Sequence, residues 1–149
     1  MITNDADFRK ELEQLSLAQQ RRVGAAFVRN VLELTADPAV GKVLDAAANA
    51  ETIADDELAL AFRNAKAAAL ESHTRCGADC DWASQAGYFV ARAASALVAP
   101  AKEAKAPAWE AAANARMART CGMIESADAT MHEESEVQYR ILEQFLNDI

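Results

Sequence analysis

No stretch of this chain stays apolar for the ~18 or more residues that a membrane-spanning helix requires. The longest candidate, ARAASALVAPA, carries Arg92 and runs into Pro100, so a membrane partner is not expected. Glycine and proline are scarce, with five and three among 149 residues, which leaves few turns and favours long elements. Basic residues are outnumbered 15 to 23 by acidic ones, for a net charge of −8. A surface of that sign repels phosphate and disfavours nucleic acid or an anionic membrane as partner. Cysteine occurs three times, an odd number with no sign of an oxidising compartment, and free thiols in a cytoplasm are the expectation. The opening MITNDADFRKELEQLSL lacks a basic segment followed by an apolar run, so no secretory signal is expected. Phosphate-cradling loops, dinucleotide-binding glycine patterns, nucleophile elbows and a serine–histidine–aspartate triad find no match. Neither a catalytic residue nor a cofactor is therefore assigned.

What is present is alanine at helical spacing. The chain is 52% hydrophobic but only 6% aromatic, and much of the apolar share is alanine, the best helix former. One domain is expected at this length, with roughly 70% of the unfolded surface buried. Asp5 or Asp7 is positioned to cap a first helix with Phe8, Leu12 and Leu15 on one face. Val23, Phe27 and Leu34, with Val31 close by, recur through the next. Asp37-Pro38 signals a helix start and opens the stripe Val40, Val43, Leu44, Ala47. An acid-led helix follows, with Leu58, Phe62, Ala65 and Ala69 inward.

From Asp79 or Asp81 another helix places Trp82, Ala86, Phe89, Ala93 and Leu97 on one side. The prolines flanking residues 99–107 mark a loop, after which Trp109, Ala113, Met117 and Ile124 are expected inward. A last helix starts near Glu133 with Val137, Ile141, Leu142 and Phe145 buried and Glu136 paired to Arg140. Gly24 and Gly87 should let helix axes approach closely, and both tryptophans read as core anchors. No segment alternates as a strand would. The pattern predicts a single-domain, all-α antiparallel bundle of about six or seven helices spanning 1–149.

One segment looks chemical. ESHTRCGADCDW places His73, Cys76 and Cys80 within eight residues. With Cys121 or His132 as a fourth ligand they would make a thiolate–imidazole zinc set, and Cys76 with Cys80 a redox pair. Against this, C-x3-C with one upstream histidine is not a standard zinc spacing, and redox catalysis uses C-x-x-C. Gly77 and the aspartates suit a helix end followed by a fresh cap, so a metal-free turn is the expectation. MHEESE lacks the second histidine of H-E-x-x-H, since Glu136 stands there, and no Glu-x-x-His pair supports a di-iron site. Arg63, Lys66, Arg92, Arg116 and Arg119 flank apolar helices and should be solvated or paired with carboxylates.

FVRNVLELTADPAVGKVLDAAANA, then AFRNAKAAALESH, then WASQAGYFVARAASALVA resembles the alanine-rich helical immunity proteins of bacterial toxin systems, over about residues 20 to 100. The shared pattern is a VL-L helix end, a proline-marked turn and alanine-laden hairpins carrying a histidine. The resemblance implies a non-enzymatic cytoplasmic binder of a protein partner, and a homodimer is admitted. The competing class is a small metal- or thiol-dependent protein centred on His73, Cys76, Cys80 and Cys121.

Overall fold

The computed structural model describes residues 1–76, 81–126 and 133–149, apart from the side chains of Arg75, Cys76 and Ser126. Among the described residues there are seven α-helices and no strand: α1 (Asp5–Glu13), α2 (Leu17–Arg29), α3 (Pro38–Ala48), α4 (Asp55–Cys76), α5 (Trp82–Val98), α6 (Pro107–Ser126) and α7 (Glu134–Asp148). A 3-10 turn at Leu32–Leu34 separates α2 from α3. None of these helices is long and apolar enough to cross a membrane.

Local chemistry sets the helix starts. Ser16 and Gln19 form a reciprocal capping box on α2, which satisfies two otherwise free amides. Asp37 accepts from the Ala39 amide at 2.9 Å with Pro38 in the first helical position, as the sequence predicts. Asp81 caps α5 through the Ser84 amide at 2.7 Å. The cap of α1 is Asn4, which accepts from the Asp7 amide. Neither Asp5 nor Asp7 is the capping residue; Asp5 is drawn instead to Arg116 on α6.

The helices bury two clusters. In one, α2 to α6 meet through valine, leucine and alanine, with α5 packed most extensively against α6 and α4. A Cβ on Gly24 would run into the Leu97 side chain, so α2 and α5 need the glycine. In the other, α1, α2, α6 and α7 converge on Phe8, Phe27, Trp109 and Tyr139.

Several inward stripes are borne out: Phe8 and Leu12, Val23 and Phe27, and Val40, Val43, Leu44 and Ala47 are all buried. On α6 the expected stripe is displaced. Ala108, Ala111, Ala112, Ala115 and Ala118 are buried, whereas Met117 is 48% and Ile124 46% exposed. Side chains ending at Cβ let α6 approach α2 and α5 closely, so the alanines take the inside and the bulky residues the outside. Trp82 is not a core anchor: it is 44% exposed at the first turn of α5. Arg140 bonds Glu143 at 2.9 Å and the Ile2 carbonyl, so it serves the N-terminus rather than Glu136. Leu34 belongs to the 3-10 turn, packs on the alanine cluster and lies where a Gly122 Cβ would be.

Candidate functional site

Of the residues suspected of metal or thiol chemistry, His73 and Cys121 have described side chains. His73, on α4, is exposed and lies beside Tyr88 of α5, ring centroids 5.5 Å apart. Cys121 is buried on α6, its thiol 3.9 Å from Gln85 Oε1. Burial pushes that thiol's pKa up, which favours the neutral, poorly nucleophilic form. Cys76 ends α4, but its side chain, together with Cys80, His132, Gly77 and Asp79, lies outside the described residues. Among those described, no group of three or more histidine, cysteine, aspartate or glutamate side chains could hold a metal ion.

Two of the arginines that flank apolar helices are paired with carboxylates, as expected. Arg116 makes a bidentate contact with Asp5 at 3.0 Å on both nitrogens and donates Nε–H to Gln138 at 2.8 Å. Tyr139 donates its hydroxyl to the same Asp5 at 2.7 Å, and Gln138, fully buried, donates to the Ala112 carbonyl. The Arg116 bond holds the Asp5 carboxyl below its usual range, partly offset by burial. Burial, then the bond to Asp5, pushes Tyr139 up to about 12.

One turn further along α6, Arg119 bridges Glu134 at 3.0 Å, Glu33 at 2.9 Å and the Asn30 carbonyl. Burial alone would lower the Arg119 pKa, but the bonds to Glu134 and Glu33 outweigh it and the net shift is upward. These charges are paired, hydrogen-bonded and consumed in joining α1, α2, α6 and α7, which is a structural arrangement. Arg21, also buried, donates to the Ala99 carbonyl at 2.7 Å, where the negative end of the α5 dipole receives it. Arg63, Lys66 and Arg92 are exposed, as expected.

What remains unspent is an outer surface. The Cys121–Gln85 contact fixes the antiparallel register of α5 and α6, and counting along each helix sets Trp82 at the same end as Ile124. Met117 and Ile124 are seven residues apart on one face of α6, so exposed apolar side chains recur along this hairpin. At the same end a groove of about 520 Å³ opens between α4, α5 and the segment after the 3-10 turn. Glu33, Asp37, Glu71 and Asp81 line it, and Asp81 directly precedes Trp82.

Sequence reasoning missed this surface because it assigned Trp82, Met117 and Ile124 to the core by size. A usable signal was present: alanine at 108, 111, 112, 115 and 118 already forms a complete inward stripe at helical spacing. Compared with known proteins, the chain matches no protein-family model, no curated protein and no solved structure.

Proposed function

We propose that this protein acts without catalysis, by holding a protein partner against the outer face of the α5–α6 hairpin, in the manner of an immunity protein. The observation that carries the reading is the exposure of Trp82, Met117 and Ile124, at 44%, 48% and 46%, in a chain that has small alanines available for its contacts. Scattered exposed apolar residues are ordinary; a tryptophan, a methionine and an isoleucine on one hairpin form the kind of surface that partners cover. The ionisable groups with a geometry suited to chemistry are occupied with one another, which supports binding over turnover. On this reading the chain works in a bacterial cytoplasm.

A photoreactive amino acid placed at Met117 in the full chain tests the reading. Irradiation in cells should give a discrete protein adduct, absent when the same group stands at Lys102 in the exposed loop. Equal labelling from both positions, or none from Met117, would sink it.

A further inference from the structure

We infer that the groove between α1 and α7 is a second binding site, for a non-helical peptide segment carrying a branched aliphatic residue. Residues 1–3 fill part of it in cis. The inference uses neither the α5–α6 face nor its partner, so the two readings stand or fall separately.

The geometry recognises main chain. Glu143 accepts from the Ile2 amide through Oε1 at 2.7 Å, and Arg140 donates through Nη2 to the Ile2 carbonyl. The same two side chains bond each other, Arg140 Nη1 to Glu143 Oε2 at 2.9 Å, three residues apart on α7. One closed ring of charge-assisted bonds therefore takes both the donor and the acceptor of a single residue. The Ile2 side chain joins the cluster of Phe8, Leu12 and Leu142 and is 7% exposed. Bonds to a peptide's backbone give affinity, and a pocket for one side chain gives specificity. None of these contacts requires covalent continuity with α1.

Two observations make residues 1–3 an exchangeable occupant. Met1, Thr3 and Asn4 are exposed, so Ile2 is the one side chain this segment buries. Helix α1 starts on its own cap, Asn4, and is anchored by Phe8 and Leu12. The entropy of ordering three residues then offsets much of what one buried isoleucine contributes. The groove also exceeds its occupant. About 540 Å³ lies beside Met1 and Ile2, bounded by Lys10, Glu11, Leu146 and Asn147. A longer segment has room there, and the short one is favoured by its covalent tether.

The experiment uses the full chain labelled with nitrogen-15, as the parent and as Ile2→Gly, which clears the slot and keeps the main chain. The probes are two capped synthetic hexapeptides of alanine and threonine, one with a central isoleucine, the other with a central aspartate. The isoleucine peptide should move the amides of Lys10, Arg140, Glu143 and Leu146, with little change on α4. Ile2→Gly should bind it about tenfold more tightly than the parent, because the parent's own segment competes for the slot. Adding Glu143→Ala to Ile2→Gly should abolish that gain.

No binding by Ile2→Gly at millimolar peptide would overturn the inference. So would equal shifts from the aspartate peptide, or an affinity unchanged by Glu143→Ala. Melting of Ile2→Gly is an independent check: its midpoint should fall by much less than that of Phe8→Ala. An equal fall would make residues 1–3 a fixed part of the core and overturn the inference as well. Crosslinking from Met117 is untouched by any of these results.

Discussion

Around Phe8, rings from four helices meet: Phe27 at 5.5 Å, Trp109 at 6.2 Å and Tyr139 at 5.1 Å between centroids. In the cluster where α5 runs beside α6, the fully buried members are small and aliphatic, among them Ala93, Ala111, Ala115 and Ala118, and Phe89 packs only from its edge, partly buried. The aromatic cluster joins helices at a distance with large surfaces, which leaves room alongside for Arg116, Gln138 and the Tyr139 hydroxyl. The alanine cluster joins α5 and α6 by proximity, with aliphatic side chains such as Val90 and Leu97 around it and no polar side chain among its buried members. Met117 and Ile124 are therefore pushed outward in the second region, while Trp109 is retained in the first. The exposed face of the hairpin is a direct consequence of how its inner face packs.

The comparison can be broken most forcefully at Phe8. Phe8→Ala should cost ~3–5 kcal/mol, because a fully buried ring contacting three others leaves a cavity. Urea midpoints measure it, and a loss below ~1 kcal/mol would show that the cluster collapses freely. Next in size is Glu134→Ala. It leaves Arg119 with only Glu33 and a carbonyl and should cost ~2–4 kcal/mol, by removing one partner of a buried charge pair. In the alanine cluster the damaging change runs the other way. Ala115→Leu should cost ~1–3 kcal/mol by overpacking, although leucine is itself a good helix former. If Ala115→Leu were neutral, the close-approach account of α5 and α6 would fail.

Titration sharpens the aromatic side alone. Asp5 has a depressed pKa in the folded state, so its contribution is present above the unfolded value of ~3.9 and fades as pH falls through the folded one. Tyr139 is raised to about 12, so its contribution is present below ~10 and is lost as pH rises from there toward the folded value. The expected stability profile is a plateau with an acid and an alkaline limb. Tyr139→Phe should remove the Tyr139 part of the alkaline limb and spare the acid one, while Asp5→Asn should weaken both. Thermal melts from pH 3 to 11 check this, and an alkaline limb unchanged in Tyr139→Phe would contradict the assignment.

Most of the helix order was legible in the sequence, because capping and periodicity are local. Asp37-Pro38, Asp81 and Pro107 each start a helix where the residue types require. What periodicity could not decide was which face of an alanine-rich helix lies inside. On α6 two stripes compete, one of alanines and one holding Trp109, Met117 and Ile124, and size favours the wrong one. Only the approach of α2 and α5 settles it, and that is tertiary information. The polar seam was illegible for a similar reason: Asp5 and Arg116 are 111 residues apart, and no local spacing announces their pairing. The histidine–cysteine segment drew attention through composition, yet Cys121 lies buried on α6 against Gln85, while His73 stands exposed beside Tyr88.

The smallest expected effect tests the central claim, that the outer face of α5–α6 is spare of structural duty and available to a partner. Trp82→Ala and Trp109→Ala should be melted side by side in the full chain. Trp82→Ala should stay within ~0.5 kcal/mol of the parent, as a surface substitution does. Trp109→Ala should lose ~2–4 kcal/mol, since its ring packs edge-on to Phe8 with Arg9 and Arg116 over it. Equal and large losses from the two variants would contradict the account, because Trp82 would then be holding the bundle together rather than awaiting a partner.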